Sequence, residues 1–314
     1  MDLAERVEGG LLGLLVGDAL GVPYEFYQPH QIPPVHEIDF VPPAGFSPAH
    51  RGVPPGTWSD DGAQALCLLA SLLESNSLNL DDFALKLLMW YRDGFFTPDR
   101  RVFDCGLQTR EAIQALIDGV SPESSGPNEE FDNGNGSLMR VLPLALWHKG
   151  PADELVREAG RQSAITHGPP RAQVCCAFYC LWARQLLEGA SDGWQEAAQA
   201  LGLVYEATPD LKAELDFVLA PSHGQRISGS GYVLDTLWTA RRALQESSYQ
   251  SVVRQAIRFG NDTDTSACVA GGLAGIRGGI RSIPEQWVRS LRGATVYKPL
   301  LRQLVERLYK ISPE

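Results

Sequence analysis

The chain has 314 residues, 44% hydrophobic and 21% charged, with a formal net charge of −11. That length can bury a large core, as one big domain or two smaller ones. The acidic balance excludes a nucleic-acid polyanion as partner, because such binders need a basic face.

The chain opens on a helical pattern with glycine at every fourth position: Gly9, Gly13, Gly17 and Gly21. Its apolar run, Leu11–Leu20, is short and carries Asp18, and Val174–Trp182 is also far below membrane-spanning length. No basic stretch, apolar core and small-residue cleavage site occur together at the N-terminus. The expectation is a cytoplasmic protein with no membrane attachment. Its six cysteines (67, 105, 175, 176, 180, 268) fall mostly inside helical patterns without zinc-finger spacing and read as reduced core residues.

Residues 29–55 hold eight of the 21 prolines, which blocks helix and central strand alike. The result is a long, partly stiff loop between Glu25 and the polar run Thr57-Trp58-Ser59-Asp60-Asp61. Leu66, Leu69, Leu72 and Leu73 then mark one helical face, and Phe83, Leu87, Leu88 and Tyr91 another. Further helices are expected near 105–118, 138–148, 152–164, 171–188, 193–206 and 209–219. The face Val233, Leu234, Leu237, Trp238 is followed by helices near 249–259 and 298–310. A Gly/Pro/Ser/Asn-rich stretch, 119–136, leads into Asn133-Gly134-Asn135-Gly136-Ser137.

Convincing alternating strands are absent, so the expected fold is all-α. A second striped helix carries Ala267, Gly271, Gly275 and Gly279. Glycine costs about 1 kcal/mol per site in a helix interior, so a repeated stripe implies a packing reason. The two striped helices pack on each other, or each packs on some other element. The first arrangement brings both ends of the chain to one centre and closes a single compact domain, 1–314.

Asn261-Asp262-Thr263-Asp264-Thr265 opens the second striped helix as Ser59-Asp60-Asp61 opens an early one. Either cluster alone is first of all a helix cap. Together they exceed what capping needs, because carboxylates packed side by side repel. Oxygen-only donors select Mg²⁺, Mn²⁺ or Ca²⁺ over zinc or copper, and four aspartates balance two divalent ions. An EF-hand loop starting at Asp262 fails, since Ala267 and Leu273 stand where Gly and Glu are required. An aspartyl-nucleophile phosphatase would need a strand before Asp262, and Val252–Phe259 reads as a helix. No P-loop, Gly-x-Ser-x-Gly elbow or Rossmann fingerprint occurs.

Three pieces between the clusters have the look of ligand contacts. Asp132-Asn133-Gly134-Asn135-Gly136-Ser137 offers backbone N–H groups at a helix start, suited to phosphate oxygens. His167 precedes the helix at Pro170, and Tyr232 follows a flexible Ser-Gly-Ser-Gly turn, suited to stacking. Each alone is more often structural.

In this order, the motifs resemble the ADP-ribosylglycohydrolase family. They are Gly17-Asp18-Ala19-Leu20-Gly21 with Tyr24-Glu25, Ser59-Asp60-Asp61, Gly134-Asn135-Gly136-Ser137-Leu138-Met139-Arg140, Thr166-His167, Ser230-Gly231-Tyr232 and Gly260-Asn261-Asp262-Thr263-Asp264-Thr265. The resemblance implies an all-α hydrolase that cleaves the bond between the distal ribose of ADP-ribose and an acceptor side chain, with two divalent cations, Mg²⁺ or Mn²⁺. By motif, it implies Ser59, Asp60, Asp61, Asp262, Asp264 and Thr265 as metal ligands. Asn135, Gly136, Ser137 and His167 would hold the diphosphate and distal ribose, and Tyr232 would stack near the nucleotide. Asp132, Glu25 and the metal-bound Asp61 are the implied catalytic carboxylates, with loop 29–55 as a flap. Phe95, Phe96, Arg100 and Arg101 are expected at the rim. Gly62 departs from the family, which often has a threonine there. The implied partner is an ADP-ribosylated protein or ADP-ribose conjugate, met by a monomer. The alternatives are a hydrolase of free ADP-ribose conjugates such as O-acetyl-ADP-ribose, and a non-catalytic binding or structural protein on the same fold.

Overall fold

A computed structural model describes residues 1–309. Among them fourteen α-helices follow one another and no β-strand occurs; one isolated antiparallel bridge joins Gly134 and Tyr232. The helices are α1 (Leu3–Gly21), α2 (Asp60–Ser75), α3 (Leu80–Asp93), α4 (Leu107–Ile117), α5 (Leu142–Trp147), α6 (Ala152–Ala164) and α7 (Pro170–Leu187). The second half holds α8 (Trp194–Val204), α9 (Pro209–Val218), α10 (Val233–Ala243), α11 (Tyr249–Arg258), α12 (Thr263–Gly278), α13 (Glu285–Ser290) and α14 (Ala294–Tyr309).

Two of these are buried all round, as helices without a polar face must be. Every residue of α1 from Gly9 to Gly21 is buried, and so is every residue of α12 from Thr263 to Ile276. They pack on each other through their glycines. A Cβ added at Gly9 would collide with the Gly275 carbonyl oxygen, one at Gly17 with that of Ala267, and one at Gly271 would stand 2.5 Å from that of Gly13. The stripes therefore exist because two backbones meet there. Gly279 ends the seam just past the helix: α12 stops at Gly278, Gly279 terminates it at φ +70°, and a Cβ at Gly9 would stand 2.7 Å from the Gly279 carbonyl carbon.

The helices α2, α5, α7, α10, α11, α13 and α14 pack against this pair, and α3, α6, α8 and α9 pack chiefly on those, with α4 against α3. Leu66, Leu69 and Leu72 of α2 are buried, as are Val233, Leu234 and Leu237 of α10. In α3, Phe83 and Leu87 are inside, but Trp90 takes the core position and Tyr91 is exposed. Local signals set the boundaries. Asp2 and Glu5 form a capping box at α1, Ser59 caps α2 through Asp61 N–H, and Asn79 caps α3. The expected helix at 138–148 starts only at Leu142, because 138–140 form a turn and Val141 stands at the N-cap. The one expected at 298–310 starts earlier, at Ala294, and its last residue lies outside the described residues. The six-residue α13 gave no periodic signal.

The proline-rich loop is tied down over its first half. Tyr24 Oη donates to Asp39 O (2.8 Å), Arg254 Nε to Ile38 O (3.0 Å), and Arg258 Nη1 to Ile32 O (2.8 Å). Ile32, Ile38 and Phe40 are buried beneath it. No helix among the described residues is long and apolar enough to cross a membrane, and all six cysteines are free and buried.

Candidate active site

The α1–α12 seam ends at Gly21, which abuts Thr263 and Asp264, and Thr263 Oγ1 donates to Gly21 O (2.8 Å). One turn earlier, Asp18 reaches the opposite way to the start of α2. Its carboxylate accepts from Ser59 N–H (2.9 and 3.1 Å) and Gly62 N–H (2.7 Å). The two acidic clusters, far apart in sequence, consequently meet: Thr265 Oγ1 donates to Asp61 Oδ1 (3.3 Å) across 204 positions.

Capping explains little of this. Ser59, not the aspartates, caps α2, and Asp262 makes no cap hydrogen bond at α12. Instead Asp262 Oδ2 accepts from Asn135 Nδ2 (2.8 Å), which brings in the glycine-rich loop. The loop is held from behind by Asn135 N–H to Gly231 O (3.0 Å) and Val233 N–H to Asn133 O (2.9 Å). Together these elements enclose a cavity of about 620 Å³. Asp60, Asp61, Asp262, Asp264 and Thr265 line it with Glu25, Asp104, Asn135, Gly136 and His167.

The carboxylates burden one another. Burial first, then neighbouring carboxylates, push Asp60, Asp61 and Asp264 well above the usual range, and burial pushes Asp262 up despite its hydrogen bonds. Burial raises Asp18 to about 7 and Glu25, with Asp104 beside it, to about 11. Among the described residues, Asp61 Oδ2 is buried with no hydrogen-bond partner. Glu25, Asp262 and Asp264 can each bring an oxygen within 4.8 Å of the others. An all-oxygen donor set with an orphaned buried carboxylate oxygen fits a hard divalent cation, which would supply the missing positive charge.

A carboxyl whose pKa is higher folded than unfolded takes up protons on folding, so it costs stability as pH climbs from the unfolded value toward the folded one. The buried histidines, lowered by burial, act oppositely but only below their ordinary 6.5. Chelator-treated protein is therefore expected to lose melting temperature steadily from about pH 6.5 to pH 8. A flat or rising curve in calorimetry would contradict this account of the site.

Behind Asp60 sits a buried cation. Gln64 Nε2 donates to Asp60 Oδ2 (3.1 Å), and Gln64 Oε1 accepts from Arg140 Nη1 (2.9 Å). Arg140, fully buried over the Phe83 ring, also holds the side chain and carbonyl of Gln162, with no carboxylate bonded to it.

At the other end of the cavity, His167 packs over the glycine loop: a Cβ at Gly134 or Gly136 would stand 3.2 Å from its Nε2. Burial and Arg140 lower its pKa to about 3, so it is neutral. Among the described residues, neither Gly136 N–H nor Ser137 N–H donates to a backbone carbonyl. The Ser137 side chain, however, does not reach the cavity. It is fully buried, its hydroxyl hydrogen-bonded to Ser163 Oγ (2.8 Å) and against Cys176 Sγ (3.4 Å), and the last residue the loop gives to the cavity wall is Gly136. Tyr232 is also displaced from its expected place. Its backbone pairs with Gly134, but its hydroxyl accepts from Arg171 Nη1 (3.0 Å), and Gly231 forms the wall instead. Asp132 stands at the wall with its Oδ2 accepting from Glu129 N–H (2.7 Å).

Several cavity groups escaped the sequence reading. Asp104 and Gln108 line the wall, while Phe95, Phe96, Arg100 and Arg101 do not: Arg100 stacks on Phe95 and Arg101 donates to Gly52 O. His50 Nε2 lies 2.5 Å from Glu25 Oε2, its ring between Phe26 and Phe103. Phe131 (92% exposed) and Phe26 (68%) stand bare at the mouth. An exposed aromatic in a polar motif was the one signal available for Phe131.

The profile of the ADP-ribosylglycohydrolase family matches residues 1–314. An ADP-ribosylarginine hydrolase, Tri1, of Serratia proteamaculans is 29% identical over 99% of this chain and 80% of that protein. Tri1 of Pseudomonas putida is 30% identical over 98% and 80%. The ADP-ribosyl-[dinitrogen reductase] glycohydrolase of Rhodospirillum rubrum is 29% identical over 91% and 90%. A solved structure described as an ADP-ribosylglycohydrolase-related protein complex superposes with a TM-score of 0.76 at 32% identity, covering 97% of this chain and 98% of that one. With its two acidic helix starts brought together beside a glycine-rich loop, the chain belongs to the ADP-ribosylglycohydrolase family and is a hydrolase of glycosidic bonds.

Proposed function

We propose that the protein removes ADP-ribose from arginine side chains of modified proteins, aided by divalent cations, Mg²⁺ or Mn²⁺. The observation that carries this reading is the meeting of Asp60–Asp61 with Asp262–Thr265 at one wall of the cavity. Arginine is favoured by the names of the Tri1 relatives and by the acidic mouth, where Asp104, Glu111 and Asp132 suit a guanidinium. Ser59, Asp60, Asp61, Asp262, Asp264 and Thr265 would hold the cations. Once bound, these would neutralise the carboxylates and act as Lewis acids toward ribose hydroxyls and a water.

The chain's own groups do the rest. The Gly136 N–H group and neutral His167 receive the diphosphate, with Asn135 fixed between them and Asp262. Phe131 offers a face for the adenine. Breaking the C1″–N bond builds positive charge on the sugar, so a nearby carboxylate stabilises it and takes a proton from the attacking water. Asp132 is in place for this, and so is Glu25, held by His50, once bound cations offset the burial and the neighbouring carboxylates that raise its pKa. Loop 29–55 serves as the flap of a single domain, anchored to the body over 32–39 and again by Tyr27 Oη to Ser47 O (2.7 Å) and Ala49 N–H to Pro23 O (2.9 Å). The buried free thiols suit a cytoplasmic protein.

The test is to incubate the protein with Arg-, Ser- and Glu/Asp-linked ADP-ribosyl substrates and O-acetyl-ADP-ribose, with Mg²⁺, Mn²⁺ or chelator. Cation-dependent release from the arginine linkage is expected. Release from O-acetyl-ADP-ribose alone would replace this reading with hydrolysis of free conjugates, and release from none would overturn both.

A further inference from the structure

Asp18 is completely buried, bonds to no cation and carries no role in the reading above, though it sits in the middle of the Gly17–Gly21 motif. Its two oxygens take the Ser59 and Gly62 N–H groups, which would otherwise be orphan donors at the start of α2. It does so from a neighbouring helix, whereas the cap that α2 supplies for itself, Ser59 Oγ to Asp61 N–H, is long at 3.3 Å. The residues on either side of Asp18 in the helix, Gly17 and Gly21, abut the backbone of α12 at Ala267 and at Thr263–Asp264. The last turn of α1 thus touches both acidic helix starts, one through a carboxylate and one through bare backbone.

Gly62 belongs to the same arrangement. A Cβ there would stand 2.9 Å from the Trp58 ring and 2.8 Å from Leu15 Cδ2, so the position admits no threonine without repacking. With no hydroxyl at 62, its backbone N–H, bonded to Asp18, is what fixes this corner of the site.

We propose that Asp18 is a positioning residue that registers the start of α2 against the start of α12, so that the two aspartate pairs converge before any cation arrives. This rests on the functional reading above. A plain helix cap would stabilise the fold alike with and without cation. A registering carboxylate sets cation affinity, since the geometry that brings the two helix starts together is loosened when its acceptor oxygens are changed.

The test compares wild type with Asp18→Asn, which keeps the shape but one acceptor oxygen fewer, by Mn²⁺ titration calorimetry and by melting with Mn²⁺ or chelator. The expected result is a Kd for Mn²⁺ weakened roughly 10- to 100-fold, the range typical of lost supporting contacts to metal ligands. Mn²⁺ should also raise the melting temperature less than in wild type. An unchanged Kd, with melting lowered equally in both conditions, would reduce Asp18 to a cap and overturn the inference. A wild-type protein that binds no Mn²⁺ would sink the metal reading itself, and this inference with it. Hydrogen exchange on chelator-treated wild type tests the same point without a mutation. The Ser59 and Gly62 amides should be protected there, and exchange at the rate of an open loop would overturn the proposal even if Asp18→Asn fails to fold.

Discussion

Replacing Asp61 or Asp264 with alanine is expected to abolish cation binding and to cut hydrolysis by about three orders of magnitude or more, while the helical circular-dichroism signal survives. The size follows from what the cation contributes. Several kcal/mol of charge stabilisation is typical of a metal-assisted hydrolysis, and each 1.36 kcal/mol is about tenfold in rate. The survival of the fold follows from what the aspartates do in its absence. Asp61 has one oxygen bonded only to Thr265 Oγ1 and the other to nothing, inside a wall where burial and Asp18, Asp60 and Asp262 all oppose its charge. Such a group strains the chelated protein, so its removal should leave the melting temperature of that form unchanged or higher. The same variant should lose the rise in melting temperature that Mg²⁺ gives wild type. Calorimetry with and without Mg²⁺ reads the binding and both melting effects, a release assay reads the rate, and circular dichroism reads the fold. Full activity with both aspartates replaced would refute the metal assignment, and a collapse of the chelated protein would show that the carboxylates are structural.

Much of this site was legible because it rests on residue types that cost stability unless something compensates. Adjacent aspartates repel and helix glycines destabilise, so Asp60–Asp61, Asp262–Asp264 and the two stripes stood out without knowledge of contacts. Spacing offered the pairing of the stripes as one of two arrangements, and the backbone contacts of Gly9, Gly13 and Gly17 with α12 decide for it. What stayed hidden has a common cause. Side-chain direction in a loop without a repeat follows no periodicity, so Ser137 could not be seen to turn into the core, nor Tyr232 toward Arg171. A lone carboxylate in an apolar run, Asp18, looks like an interruption until its partners 41 and 44 positions away are known. His50 and Asp104 sit in segments whose sequence shows only prolines and charges, and folding alone brings them to Glu25.

The same dependence on close approach makes the glycine seam the most fragile part of the fold, and the effect should differ sharply between neighbouring glycines. Gly13→Ala puts a methyl into the Gly271 carbonyl, and Gly275→Ala puts one into that of Gly9. Backbone atoms of a packed helix cannot rotate aside, so the helices must separate, and separation strips contacts along the whole seam. Each substitution is expected to destabilise by roughly 3 kcal/mol or more, the upper range for overpacking, and valine at either position to abolish cooperative folding. Gly10→Ala is the control on the same helix. Its methyl would meet side chains rather than backbone, Ile276 Cγ1 at 2.8 Å and Leu146 Cδ2 at 3.1 Å, and alanine recovers about 1 kcal/mol of helix propensity. Gly10→Ala should therefore cost less than Gly13→Ala and melt clearly above it. The seam also sets the distance between Asp61 and Asp264, since Gly21 lies on Asp264 itself. Gly13→Ala protein that remains folded in the cold should thus bind Mn²⁺ more weakly although no ligand has changed, and equal melting of the two alanine variants would show that the seam does not carry this load.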